Sequence, residues 1–127
     1  MDVQEIQKIS QIGIPVKNME RAVPFYRDVL GLPLLFSMET MAFFECGGQR
    51  LMLSLPEKEE FAHPSSVLYF QVEDIRKSCR ELAEKGAGFT GDPHMVAKMG
   101  DTETWMAFFQ DTEGNTHALM SDIPAQQ

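Results

Sequence analysis

VKNMERAVPFYRDVLGL, Val16 to Leu32, joins the end of an extended run to a complete helical signature. Upstream, Ile9 to Val16 sets Ile12, Ile14 and Val16 against Gln11, Gly13 and Pro15, the period-two pattern of a strand. The run stops at Lys17-Asn18, where the Asn18 side-chain oxygen can accept an orphan N–H of a first helical turn. Met19, Val23, Tyr26 and Leu30 then recur at helical spacing, and Phe25 and Val29 widen the apolar face. Gly31 offers the positive φ at which helices commonly stop. Pro24 lies deeper than the first turn, where it removes a hydrogen bond and crowds the Glu20 carbonyl. The expectation is a helix that begins late or irregularly and survives.

Three short apolar runs follow, Leu34–Glu39, Met41–Glu45 and Arg50–Leu55, with Cys46-Gly47-Gly48-Gln49 reading as the hairpin turn between the last two. Residues 56–66 (PEKEEFAHPSS) are charged and turn-rich, a linker. Then the order restarts. Val67–Val72 is a strand, Asp74 a helix cap, Ile75, Cys79, Leu82 and Ala83 a helical stripe, and Gly86 a stop. VKNM at Val16–Met19 and VEDI at Val72–Ile75 match in strand end, spacer, cap and first apolar residue, 56 positions apart. Beyond Gly86 the pattern predicts a weak strand from Gly88, a loop through Gly91–Asp101, a strand Thr104–Gln110, a turn at Asp111–Gly114, a strand Asn115–Met120 and a tail from Ile123. The predicted organisation is one domain: a first module over about 7–56, a linker at 57–65 and a second module over about 66–122.

Composition narrows the function. At 127 residues the chain can bury a core of its own, and its apolar fraction is 43%. A net charge of −8 argues against nucleic-acid or anionic-membrane partners. No run of 18 apolar residues and no signal-peptide h-region is visible. Cys46 and Cys79 sit apart on differently patterned segments and read as reduced packing residues, which implies a cytoplasmic protein.

Three segments carry a resemblance: IGIPVKNMERAVPFYRDVLGL (Ile12–Leu32), RLMLSLPE (Arg50–Glu57) and FFQDTEGNTHALM (Phe108–Met120). With the tandem pattern they resemble the vicinal oxygen chelate superfamily, which includes glyoxalase I, bleomycin-resistance proteins, fosfomycin-resistance enzymes, extradiol dioxygenases and methylmalonyl-CoA epimerase. The resemblance spans essentially the whole chain. It implies an α+β fold of two tandem βαβββ modules, a mixed sheet curled into a cup with helices outside and ligand inside. It also implies a homodimer, often with each cup built from modules of two subunits.

The superfamily's chemistry runs on a divalent metal, and the resemblance places its ligands at four positions. Here these are Gln11 where His is usual, Met52 where Glu is common, Val67 (or Ser66) where His is usual, and Ala118 where Glu is usual. Animal glyoxalase I does use Gln at the first. One amide oxygen cannot hold a divalent ion, since open catalytic sites need about three or four N, O or S donors. The expectation is therefore no metal and no cofactor. His63, His94 and His117 are scattered, and alternation turns His117 away from the cup if Ala118 faces it. Glu45, Glu103 and Asp111 have no assignable partner, and no nucleophile elbow or phosphate-cradling loop is visible.

Alternation anchored on the lost ligand positions lines the cup with Gln11, Arg50, Met52, Tyr69, Met106, Phe108 and Ala118, and Phe44 is a further wall. Such a lining fits a mostly apolar pocket with a few orienting polar groups, although methionine at regular spacing also suits a packed core. Two functions stay open: a metal-free binder that sequesters an aromatic or amphipathic small molecule, or a lyase, isomerase or dioxygenase-type enzyme of the same superfamily, metal-dependent or with a divergent site. Whether the cup forms within one chain or across a dimer stays open too.

Overall fold

A computed structural model describes residues 5–57, 59 and 62–125. Residues 1–4, three linker positions and residues 126–127 of the tail lie outside the described residues. The first sheet holds β1 (Gln11–Pro15), β2 (Leu34–Ser37), β3 (Met41–Cys46) and β4 (Gln49–Ser54) in the order β1-β4-β3-β2. The second holds β5 (Leu68–Gln71), β6 (Gly88–Phe89), β7 (His94–Met99), β8 (Thr102–Gln110) and β9 (Thr116–Pro124). Its order is β5-β9-β8-β6, with β7 also on β8. In each sheet the first strand runs parallel to the last, β1 to β4 and β5 to β9. The repeat of strand end, cap and helix in the sequence is thus a repeat of topology, and the chain is α+β with helices on one face of each sheet.

Each helix begins where its cap dictates. Asn18, extended at φ −145°, accepts the Arg21 N–H at 3.1 Å and opens α1 (Met19–Pro24). Asp74 accepts the Lys77 N–H at 3.2 Å and opens α2 (Ile75–Glu84). The irregularity expected from Pro24 falls after it and not at the start. Pro24 has no N–H to give Glu20, and the Phe25 N–H reaches back three residues to the Ala22 carbonyl. The chain then widens into a π turn over Phe25–Val29, in which the Leu30 N–H meets the Phe25 carbonyl. The wider turn keeps both Phe25 and Tyr26 buried. Gly31 at φ +76° ends the segment.

One core runs under both helices. It joins Ile14, Tyr26, Phe44, Leu51 and Leu53 of the first half to Ile75, Cys79, Ala107, Phe109 and Leu119 of the second. Phe109 is its centre in the second half, in contact with Phe25, Phe70, Phe89 and His117.

Two expectations for the second half are corrected. His94–Met99 is a strand and not a loop, paired antiparallel with Thr102–Met106 across a tight turn at Gly100, φ +61°. All six of its residues are exposed, so no burial alternation exists to mark it. The last strand runs on to Pro124, because β8 begins at Thr102 and offers partners that far. No helix of the described residues is long and apolar enough to cross a membrane.

Candidate functional site

Strand pleating sends alternate side chains to opposite faces of each sheet, one packed under the helix and the other the concave face of the fold. Leu51 and Leu53 of β4 are buried on the helix face, which turns Arg50, Met52 and Ser54 to the concave one. In β3, Ala42 and Phe44 are fully buried, and Phe44 packs on Tyr26. Phe44 is therefore core and not a cup wall. Its neighbour Phe43, in register with Met52, takes the concave position; a one-residue slip in alternation exchanges the two faces.

Three of the expected lining residues meet directly. The Gln11 Nε2 donates to Met52 Sδ at 3.5 Å, and its Oε1 accepts the Arg50 Nε–H at 3.1 Å. A guanidinium only donates, so the amide oxygen must face it. The Arg50 guanidinium also lies 5.4 Å from the Phe43 ring centre. Beside this trio a cavity of about 420 Å³ is lined by Gly13, Met41, Met52 and Ser54, with Pro56 and His63 of the linker closing one side. A neighbouring cavity of about 580 Å³ shares Pro15, Pro56 and His63 and runs on to Glu113 and Asn115. His63 Nδ1 lies 2.9 Å from the Pro64 carbonyl, which can only accept, so Nδ1 is the donor there. Met41, Phe43 and His63 stand outside the lining expected from sequence, in which His63 figures only as an isolated linker histidine. Alternation of β3 against its buried Ala42 would have found the first two.

The second module gathers the rest. Tyr69 and Phe108 flank fully buried Ala118 in register, with their rings 6.3 Å apart and edge to face. Met106 shares their face of β8, and His94 lies against Phe108 from β7. His117 does turn to the opposite face, into the core. No hydrogen bond among the described residues joins this group to Gln11, Arg50 and Met52.

The residues that couple the halves are polar and buried. Asp111 accepts the N–H groups of Glu113 and Asn115 through Oδ1, both at 2.8 Å. Its Oδ2 accepts Asn115 Nδ2 at 2.8 Å and the Tyr26 hydroxyl at 2.5 Å. With its one proton committed to Asp111, Tyr26 accepts from His117 Nε2 at 2.9 Å, which leaves His117 Nδ1 unprotonated and without a partner. Burial lowers the His117 pKa, although the Asp111 charge opposes it, and burial with that same charge drives the Tyr26 phenol far above its ordinary range. Asn115 also donates to the Pro15 carbonyl and accepts the Ser65 N–H. Glu113 takes the Lys17 and Asn18 N–H groups and a two-nitrogen contact from Arg21, its closest at 2.7 Å. Burial would raise the Glu113 pKa, but these donors and Thr112 outweigh it and hold it at about 2. Both acids are thus structural: Asp111 ties Tyr26 of the π turn to the β8–β9 turn, and Glu113 clamps the start of α1 to it.

The donor set does not fit the metal that the fold's relatives use. At the expected positions only Gln11, and Ser66 if the third shifts by one residue, has a hard donor atom, and the Gln11 oxygen already faces a guanidinium, whose charge repels a cation. Among the described residues no three His, Cys, Asp or Glu side chains gather as a metal site. Elemental analysis of protein purified without chelator is expected to return no stoichiometric Ni, Zn, Mn or Co. About one tightly held metal per chain, lost on Gln11→Ala, overturns that expectation.

Two half-sheets, each with its first strand parallel to its last and its own helix on one face, join over one core as paired modules. The model of the Glyoxalase/Bleomycin resistance protein/Dioxygenase superfamily matches residues 8–119, and the chain belongs to that superfamily. It is 30% identical over 125 residues to the uncharacterised protein YraH of Bacillus subtilis, covering 85% of this chain and 93% of that one. A shorter likeness, 41% over 49 residues and 39% of this chain, links it to 35% of the metallothiol transferase FosB of Staphylococcus haemolyticus. A member of the same superfamily from Sphaerobacter thermophilus superposes with a TM-score of 0.77 at 23% identity, over 93% of this chain and 99% of that one. Lactoylglutathione lyase from Agrobacterium tumefaciens superposes with 0.71 at 18%, over 93% and 96%. At those identities the two structures speak for the fold alone.

Proposed function

We propose that the chain is a metal-free small-molecule binder that holds an aromatic or amphipathic compound on its concave face. The observation that carries this reading is the Gln11–Arg50–Met52 trio beside the Met41–Met52–Ser54 cavity. Polar groups there are ordered by one another yet open to solvent, on the face opposite a complete core. Methionine and phenylalanine walls adapt to irregular apolar ligands. A ligand at about a hundred times its Kd adds roughly 2.7 kcal/mol of stability, worth several degrees in Tm for a domain this size. Thermal-shift screening of flat aromatic antibiotics, glutathione conjugates and CoA thioesters is expected to find such a compound. Met52→Trp, which fills the cavity, should abolish its shift and keep the fold. A screen in which nothing shifts the wild type defeats the reading.

The likenesses to FosB and to the glutathione transferase FosA of Serratia marcescens, 24% identical over 116 residues, favour a second reading, a transferase. His63 Nε2 at the cavity edge would be its base. Turnover that His63→Ala removes, with binding intact, would select it.

We further propose a homodimer. Leu35 and Phe36 of edge strand β2 and Val96 and Met99 of edge strand β7 are large, apolar and exposed, Met99 by 81%. Unpaired apolar edges are normally covered. Light scattering should give about twice 14.4 kDa at micromolar concentration; a particle of 14.4 kDa contradicts the dimer.

A further inference from the structure

We infer that Arg50 is a prepared anion-recognition arm, so that the ligand of the concave face is a small organic acid: an apolar body bearing a carboxylate or a similar two-oxygen anion. The inference rests on the concave face being a binding site, and it goes further by assigning the charge of what binds.

Four observations lead to it. First, Arg50 has no acidic partner. The residue opposite it in register on β3 is Glu45, the ordinary cross-strand partner for a cation. Glu45 instead turns back to the hairpin, where its Oε1 accepts the Gly48 N–H at 2.6 Å. Among the described residues no carboxylate forms a salt bridge with Arg50, a condition it shares with Arg76 and Arg80. Second, it is held in place. Gln11 Oε1 accepts its Nε–H, Gln11 is itself fixed at the other end by Met52 Sδ, and Phe43 lies beneath the guanidinium.

Third, the contact with Gln11 selects which edge is offered. With Nε–H committed, the Nη1 and Nη2 edge remains, a fork of parallel N–H groups matched to two coplanar oxygens. Lysine or glutamine could not present it. Fourth, the surroundings of the fork suit an apolar body. Phe43 and Met52 are half-buried and Met41 lines the adjoining cavity. An anion that reached this fork would lay its carbon skeleton along the methionines.

A matched set of probes tests this: 4-phenylbutanoate, 4-phenylbutan-1-ol and 4-phenylbutan-1-amine, which share one body and differ in the head group. In calorimetric titration the wild type is expected to bind the acid at least about tenfold more tightly than the alcohol or amine, as a charge-assisted bidentate contact implies. The methyl resonance of Met52 should move with the acid. Arg50→Gln should bring the acid down to the affinity of the alcohol and leave the alcohol unchanged. Arg50→Lys, which keeps the charge and loses the fork, should fall between. Arg50 is exposed, so both variants should melt near the wild type.

Equal binding of the three probes, or an acid preference that survives Arg50→Gln, overturns the anion assignment and leaves the binding face standing. An acid that binds without moving Met52 also overturns it. If no probe binds the wild type in this set and no compound shifts it in the thermal screen, the binding reading itself falls and this inference with it.

Discussion

Replacing Asp111 with alanine is expected to cost more stability than any change on the concave face, on the order of 3 kcal/mol or more. One carboxylate satisfies four donors: two backbone N–H groups, the Asn115 amide and the Tyr26 hydroxyl. Orphaning a buried donor costs about 1–3 kcal/mol, and these four share a site from which water is excluded. Partial relaxation of the turn keeps the total below their sum. Tyr26→Phe should cost less, about 1–3 kcal/mol, because it strands only one Asp111 lone pair and the His117 N–H. Urea denaturation with unchanged m-values measures both. An Asp111→Ala variant as stable as Phe108→Ala would mean that the Asp111 cluster adds little to the joining of the two halves.

The same cluster sets the acid response. The Glu113 pKa is about 2 in the folded chain, below its unfolded value of about 4.3. A depressed carboxyl pKa contributes stability that is complete above the unfolded value and is lost as pH falls toward the folded one. Stability should therefore decline from about pH 5 downward, and less steeply in Glu113→Gln. The lowered His117 pKa acts in the same direction at higher pH, from its unfolded value of about 6.5 downward.

The second large effect separates adjacent phenylalanines. Phe109 is fully buried among four aromatic partners. Phe109→Ala should cost roughly 3–5 kcal/mol, the transfer and cavity cost of an enclosed ring. Phe108 is half-buried on the other face, against Tyr69 and His94. Its truncation should cost clearly less, because its ring was never enclosed. Comparison of the two variants tests which face of β8 is core. Equal penalties would mean that the concave face of the second module is as closed as the helix face, and the Tyr69–Phe108 wall would then be packing.

Local rules made much of this chain legible as sequence. Asn18 and Asp74 start their helices because a side-chain oxygen two or three residues upstream of a free N–H is a contact within one turn. Gly31 and the Gly47-Gly48 turn end elements because φ is a property of one residue. The repeat, the α+β class and the superfamily followed from signals of this range. So did the opposed directions of Ala118 and His117, since strand alternation has a period of two wherever the register is known.

What needed the tertiary structure depends on partners far along the chain. The π turn after Pro24 is chosen by the packing of Phe25 and Tyr26 against Phe109 and His117, over 80 residues away. β7 escaped because an edge strand exposed on both faces has no alternation to read; only pairing with β8 defines it. Phe43 and Phe44 are chemically equal, and the helix that covers one of them decides which is core. Asp111 looked like an ordinary turn residue until Tyr26, Asn115 and His117 converged on it. Arg50 was visible as a lining residue, but its open fork was not, because that depends on Gln11 taking one edge while Glu45 turns away. Sequence carries the contacts that a few bonds can close. Folding adds those in which two distant segments must agree on one position.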